Sequence, residues 1–152
     1  MWEIFINARE LEIDRVRILD FYLLFPFLIS RIRFRPQDRK FKRLAKEFEY
    51  KRPYGRQPEE SDLLRRMQPM QSAALQTLAA EGFVYADDLS LGMVRPTSKP
   101  IPPAINDRVK RINDRETNLL ECLSSLARDY PLLGPDGLKA RSELLEFRYD
   151  AV

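Results

Sequence analysis

The chain has 152 residues, a formal net charge of +3 and 44% hydrophobic residues, which suits one soluble domain with a hydrophobic core. It contains no histidine and one cysteine, Cys122, so the commonest general base, the commonest metal ligand and an internal disulfide are excluded. We find neither a signal peptide nor an apolar run long enough to span a bilayer, and we expect a cytoplasmic protein without membrane contact.

The apolar stretch Ile18–Ile29 organises the N-terminal part of the chain. Before it, Trp2–Ile6 is typical of a short strand or ordered arm, and Asn7 or Asp14 is suited to cap the first helix. Pro26 is expected to end or kink that helix because it lacks the backbone donor. The stretch is apolar all round, which predicts either burial on several sides or contact with a partner protein. The aromatic candidates for a protein interface are Phe21, Tyr22, Phe25 and Phe27.

Asp20 is the one charged residue within this apolar stretch. A buried carboxylate needs a hydrogen-bonding or charged partner, and Arg17 lies about one helical turn earlier. We predict that Asp20 either forms a structural ion pair with Arg17 or lies exposed, in preference to acting as a catalytic acid.

The positive charge is concentrated in residues 31–66, which carry 13 basic and 6 acidic residues and therefore a net charge of +7. Arg31–Arg35 alternates arginines with apolar residues, and Asp38–Glu47 is predicted to form a helix. The apolar face of that helix is formed by Phe41, Leu44 and Phe48. Clustered cations favour phosphate backbones through counterion release, whereas a solvated helix face is the alternative interpretation. The candidate phosphate-backbone contacts are Arg31, Arg33, Arg35, Arg39, Lys40, Lys42, Arg43 and Lys46.

Two helices and a hairpin are predicted after the basic segment. The helices begin at Ser61 and again at Pro69, and the second ends at Gly82. Phe83–Tyr85 and Met93–Arg95 then suit a two-stranded hairpin around the intervening polar residues. Helices followed by a small hairpin are typical of a winged helix-turn-helix.

The part of this unit that would read DNA carries no cation. From Met67 to Val94 there is neither Lys nor Arg, although proteins that read the major groove bring cations to the phosphates. We therefore interpret the unit as a protein-docking module, with Gln71 and Gln76 as further candidate interface residues.

The C-terminal third is predicted to be a helical hairpin behind a stiff connector. Pro96–Pro103 contains four prolines and should be extended. A long helix follows from Ile105 through Leu126, and a turn at Gly134–Gly137 leads to a last helix through Leu138–Phe147. The predicted fold class is mainly α with a small β-hairpin. Its predicted parts are a winged-helix-like domain (1–95), the connector (96–103) and the C-terminal helical hairpin (104–152).

No catalytic constellation is found in the sequence. Cys122 lies among leucines and is predicted to be a small core residue. Ser124 and Ser125 have no histidine to activate them, and no glycine loop is followed by a helix carrying Lys and Ser or Thr. We therefore predict a protein that is not an enzyme, with no catalytic, cofactor-binding or metal-binding residue.

Three segments resemble a known protein family: RILDFYLLFP (Arg17–Pro26), KRPYG (Lys51–Gly55) and MQPMQSAALQTLAAEGFV (Met67–Val84). They are similar to the small middle component of Lamassu-type bacterial three-component defence systems, which are built around an SMC-like ABC ATPase. The resemblance implies a non-enzymatic subunit that joins a coiled-coil SMC-like ABC ATPase to an effector nuclease, in defence against phage or plasmids. The resemblance supplies no catalytic residues. DNA contact through the complex is a separate hypothesis, which rests on the basic segment Arg31–Lys46.

Two other functions are compatible with the sequence. A free-standing winged-helix transcriptional regulator would place the basic segment beside the helix-turn-helix and dimerise through the C-terminal hairpin. A small toxin or antitoxin acting by protein contact is the third hypothesis. The scaffold subunit is the main one, because the apolar first helix and the cation-free docking unit both indicate protein contact.

Overall fold

The computed structural model describes residues 10–55 and 58–145. Its strands are β1 (Leu11–Glu12) and β2 (Met93–Val94). The α-helices in these residues are α1 (Ile13–Leu24), α2 (Leu44–Glu47), α3 (Glu60–Ala80), α4 (Ala86–Ser90), α5 (Pro103–Arg115), α6 (Thr117–Asp129) and α7 (Leu138–Ser142), and the 3-10 helices are η1 (Pro26–Arg31), η2 (Pro36–Arg43) and η3 (Glu49–Lys51). The chain is therefore mainly helical with a small two-stranded sheet. The arm predicted at Trp2–Ile6 and the candidate cap Asn7 lie outside the described residues.

Helix α1 lies at the centre of the fold. Its fully buried apolar side chains are Ile18, Leu19, Phe21 and Tyr22. η1, α3, α6 and α7 all contact it, which explains why apolar residues surround most of its circumference. The helix ends at Leu24 and Pro26 begins η1, so the predicted effect of the proline is confirmed.

The polar residues of α1 have different partners from those predicted. Glu12, and not Asp14, occupies the N-cap position. Arg17 forms an ion pair with Asp14 at 3.2 Å, and the Asp20 Oδ2 atom accepts a hydrogen bond from Gln71 Nε2 at 2.9 Å. The predicted Arg17–Asp20 pair is therefore wrong, because α3 brings an amide donor alongside Asp20.

The sheet is not the hairpin predicted from the sequence. β2 pairs antiparallel with β1, and Leu11 lies opposite Val94; both side chains are buried. Helix α4 occupies the segment that was expected to turn. The two predicted hairpin segments still meet, since the Tyr85 N–H donates to the Arg95 carbonyl at 3.1 Å. Val84 also forms an antiparallel bridge with Pro96, one residue beyond the second segment. β2 is paired with a distant strand because that pairing covers Leu11 and Val94 together.

Helix α3 runs through Pro69 without a break, so the prediction of two helices separated there is wrong. Leu64 and Leu75, on either side of the proline, are both buried in the core, and this packing holds one helix. Pro69 itself is exposed, where water can satisfy the carbonyl that loses its donor. The predicted end is confirmed, since Gly82 follows the helix with φ +75°, a conformation that favours glycine.

The long C-terminal helix predicted from the sequence is divided in two. α5 ends at Arg115 and α6 begins at Thr117, with Glu116 between them in a non-helical conformation. α6 packs on α1 through Leu119, Leu123 and Leu126, all of which are fully buried. The predicted turn is confirmed by the Gly137 N–H, which donates to the Gly134 carbonyl at 3.0 Å. The last described helix, α7, is short, and Phe147 lies outside the described residues.

Residues from both ends of the described chain share the core. The buried apolar cluster extends from Leu11 to Leu144 and includes side chains on both sides of the Pro96–Pro103 segment. The helix predicted at Asp38–Glu47 consists mostly of η2, followed by α2, and its predicted apolar face is buried: Phe41, Leu44 and Phe48. Within the described ranges, every helix falls short of the length and apolar character needed to cross a bilayer.

Candidate nucleic-acid and protein interfaces

The fold places the arginines of the Arg31–Arg35 segment at the surface. Ile32 and Phe34 are buried, with 0% and 7% of their surface exposed, whereas the arginines between them are exposed or half-buried. The alternation predicted from the sequence is therefore confirmed. It arises because an extended backbone directs successive side chains to opposite sides.

Four of the eight candidate phosphate contacts are held by other residues of the chain. Three form ion pairs: Arg31 with Glu60 at 2.7 Å, Lys40 with Glu121 at 2.7 Å, and Arg33 with Glu143 at 3.5 Å. The fourth, Arg35, places its guanidinium 4.5 Å from the centroid of the Tyr130 ring. All four cations therefore contact distant segments of the chain, and the charge of the three in ion pairs is partly neutralised before any ligand arrives.

Tyr130 connects the end of α6 to the start of η2. Its hydroxyl donates to Asp38 Oδ2 at 2.7 Å and accepts the Arg35 backbone N–H at 3.0 Å. Burial and the neighbouring Asp38 raise the pKa of Tyr130 to about 12. The Asp38 carboxylate is therefore bonded to Tyr130 within the fold.

The other four candidate contacts form an exposed cationic surface: Arg39, Lys42, Arg43 and Lys46. In residues 10–55 and 58–145, none of the four forms an ion pair or a hydrogen bond through its side chain. Their spacing of three, one and three residues places them together, opposite the buried residues of η2 and α2. Glu47 is the exposed acid adjacent to this group. The cationic surface can therefore offer unpaired charge to a polyanion such as a nucleic-acid backbone.

The structure removes three of the predicted interface residues from the surface. Phe21 and Tyr22 are fully buried, and Phe27 is 6% exposed. Phe25 is half-buried and packs 5.1 Å from Phe21, measured between ring centroids. These aromatics form the core around α1, and in this conformation Phe21, Tyr22 and Phe27 have almost no surface to offer a partner. The sequence indicated burial and left open what covers it; the covering elements belong to this chain.

A shallow apolar groove lies between α1 and α3. Its volume is about 150 Å³, and its walls include Val16, Ala74, Leu75 and Leu78. Gln71 lines the groove and is held by its bond to Asp20, whereas Gln76 is exposed on α3. Gln71 therefore lies in the groove, and Gln76 lies on the open surface of α3. A role in partner binding stays a prediction for both.

The thiol of Cys122 lies in the core of the fold. Cys122 is fully buried, and burial raises the pKa of its thiol to about 12, so the thiolate that would act as a nucleophile is disfavoured. The prediction of a core cysteine is confirmed. Among residues 10–55 and 58–145, no group of three or more His, Cys, Asp or Glu side chains is arranged to hold a metal ion.

Comparison with protein families gives a match across almost the whole chain. Residues 1–150 match the family model described as ABC-three component (ABC-3C) system Middle Component 5. The chain belongs to this family. Neither the comparison with curated proteins nor that with solved structures gives a match. The family covers both the cationic surface and the groove, so the surfaces described above belong to a middle component of an ABC-three component system.

Proposed function

We propose that this middle component is a non-enzymatic accessory subunit of a Lamassu-type defence complex. In this role it joins a coiled-coil, SMC-like ABC ATPase to an effector nuclease that acts against phage or plasmid DNA. The observation that carries the proposal is the family match over residues 1–150. The buried thiol of Cys122 and the absence of histidine from the sequence support a role in contact and positioning rather than in chemistry.

We further propose that the cationic surface contacts the DNA backbone within the complex. Arg39, Lys42, Arg43 and Lys46 are exposed and free of internal partners in the described part of the chain. Unpaired cations gain most from phosphate, because they release condensed counterions without first breaking an ion pair. The contact would be independent of base sequence.

The winged-helix assignment is a part of the same proposal. It is supported by a helix followed by two paired segments: α3, the turn at Gly82, and the bridge between Val84 and Pro96. The absence of Lys and Arg from Met67 to Val94 supports docking of protein, and not of bases, on this unit.

The accessory role is tested by affinity purification of the full chain from its native cells in mild salt, with mass spectrometry of the bound proteins. We expect a coiled-coil ATPase and a nuclease to be recovered in near-stoichiometric amounts. Recovery of neither would overturn the proposal. A chain recovered alone with DNA that dissociates as the salt concentration rises would instead favour the free-standing regulator.

The DNA contact is tested by replacing Arg39, Lys42, Arg43 and Lys46 with glutamine in the purified complex. Loss of four backbone contacts should reduce the slope of log affinity against log salt by about 3.6 for duplex DNA. The matched control removes four cations elsewhere, at Arg66, Lys110, Arg111 and Arg128, and should leave the slope nearly unchanged. Equal effects of the two sets would show that only net charge matters and would contradict a localised contact.

A further inference from the structure

Helix α5 is 13 residues long and buries none of them, whereas the other long helices, α1, α3 and α6, each place side chains in the core. Ile105 and Ile112 are 54% and 50% exposed, and Val109 between them is half-buried. The three lie at spacings of four and three residues, so they form one apolar stripe along the helix. The described part of the chain thus leaves about half of the surface of each isoleucine open to solvent.

The apolar spacing of the stripe is repeated in the next helix, where the apolar side chains are buried. α6 carries leucines at the same spacings, Leu119, Leu123 and Leu126, and all three are fully buried where α6 packs on α1. Glu116, whose carboxylate lies 2.9 Å from Lys51 Nζ, separates the two helices. The same seven-residue spacing is fully buried against α1 in α6 and is left half exposed in α5.

The edges of the stripe differ in charge. Arg108 and Arg115 each follow an isoleucine of the stripe by three residues, at the g positions of a heptad in which Ile105 and Ile112 are d and Val109 is a. They are seven residues apart, so they lie on the same edge of the stripe. Asn106 and Asn113 lie on the other edge. In two-stranded helical packing, residues at these edges meet the edge residues of the partner helix. An apolar helix flanked by Asp or Glu would therefore pair with the Arg108–Arg115 edge.

We propose that α5 is a docking helix for an amphipathic helix of another component, whose apolar seam is flanked by acidic residues. This inference rests on the proposed function, because it names the surface through which the subunit meets a coiled-coil partner. Ile105, Val109 and Ile112 bury their exposed surface against the partner's seam. Arg108 and Arg115 pair with its carboxylates and set which helix is accepted.

A second copy of the chain is a poorer occupant of this surface. In a parallel pair of α5 helices, the arginine edge would meet Asn106 and Asn113 of the other copy, which carry no charge. In an antiparallel pair, Arg108 and Arg115 would face arginines. Neither arrangement supplies a carboxylate, since Asp107 and Asp114 of α5 lie on the side away from the stripe.

The test compares capture of the other components by the full chain and by two double variants, Ile105→Ser/Ile112→Ser and Arg108→Glu/Arg115→Glu. Both variants change exposed residues, so folding should be retained, as circular dichroism would verify. We expect each to lower capture of the coiled-coil component by about tenfold or more. The controls, Leu24→Ser/Leu91→Ser and Lys110→Glu/Arg111→Glu, make the same chemical changes at exposed positions away from the stripe and should keep wild-type capture.

The outcomes separate this inference from the proposed function. If the wild-type chain captures no component, the accessory role itself fails. If the wild type and both stripe variants capture equally, the accessory role stands and the assignment to α5 is overturned. A concentration-dependent dimer of the isolated chain that only Ile105→Ser/Ile112→Ser abolishes would also overturn it, because the occupant would then be a second copy.

Discussion

Arg15 joins α1 to the C-terminal end of α6, and its replacement by methionine is the sharpest test of how this fold is held together. The side chain is 6% exposed. Its guanidinium donates to the carbonyls of Leu126, Ala127 and Tyr130 at 3.3, 3.0 and 2.6 Å and to the Glu12 carboxylate at 2.7 Å. A buried cation thus satisfies the carbonyls that a helix end leaves without donors.

The expected loss follows from what Arg15→Met would leave behind. Removing the donor from buried carbonyls costs about 1–3 kcal/mol, and loss of a cation from a helix C-terminus costs up to about 2 kcal/mol. Glu12 is not left as a fully buried charge, because 39% of its side chain is exposed and water can hydrate it. We therefore expect unfolding free energy to fall by about 3 kcal/mol, which for a chain of this length lowers Tm by roughly 6–12 °C.

Urea and thermal unfolding followed by circular dichroism measure this loss. Arg52→Met is the matched control, because Arg52 pairs with Glu49 at the exposed surface. Loss of this exposed pair should cost no more than about 1 kcal/mol. Arg15→Lys keeps the charge but not the branched donor geometry and should give an intermediate stability. A loss below about 1 kcal/mol for Arg15→Met would refute the view that this cap stabilises the fold.

The same variant should alter the pH dependence of stability. Burial acts to raise the pKa of Glu12, but the hydrogen bond and the positive charge of Arg15 lower it overall from its ordinary value of 4.5. A depressed carboxyl pKa contributes stability above the unfolded value, and that contribution is lost as pH falls through the folded pKa. The deficit of Arg15→Met relative to wild type should therefore shrink below pH 4.5. A constant deficit would contradict the assigned partner.

Two further predictions concern Cys122 in α6 and Tyr130 directly after this helix. Tyr130→Phe keeps the ring against Arg35 but removes the hydroxyl that bonds to Asp38, so it should lower unfolding free energy by about 1–2 kcal/mol; an unchanged urea midpoint would contradict this. Cys122, with its buried thiol and raised pKa of about 12, should resist a thiol reagent in native buffer at neutral pH and react once denaturant unfolds the chain. Rapid labelling of the native protein would show that the α6 core opens readily.

Several elements were predictable because a local rule decided them. Pro26 ends α1 because it has no donor for the helix, and Gly82 follows α3 because its positive φ strongly disfavours side chains with a Cβ. The spacing of Phe41, Leu44 and Phe48 identified a buried face, even though η2 replaced part of the α-helix there. Cys122 was recognised as a core residue from its leucine neighbours.

Other elements depended on neighbours that the sequence does not reveal. Pro69 should have interrupted a helix, but core packing at Leu64 and Leu75 kept it continuous. The periodicity from Ile105 to Leu126 suggested one helix, yet it is divided at Glu116, beside Lys51. In each case tertiary contacts outweighed a local preference of a few kcal/mol or less.

The candidate interface residues were likewise only partly predictable from the sequence. The sequence identified eight clustered cations, but only the fold showed that glutamates from distant segments pair with Arg31, Arg33 and Lys40. Likewise, the sequence left open whether the aromatic run around Phe21 is core or interface, and only the structure showed that most of it is buried by this chain. The exposed stripe of α5 was hidden in the sequence, because its periodicity is the same as that of the buried leucines in α6.

The sequence by itself determined many of the residues that need burial, several places where the backbone must turn, and that the chain has no histidine and a single cysteine. Tertiary structure decided which strand pairs with β2, which cations remain unpaired, and which of two similar helical faces is covered. The physical reason is range: backbone dihedral limits and missing donors act within one or two turns, whereas burial and charge pairing join residues far apart in the chain. Arg15 and the Tyr130 carbonyl, 115 positions apart, meet only when the chain is folded.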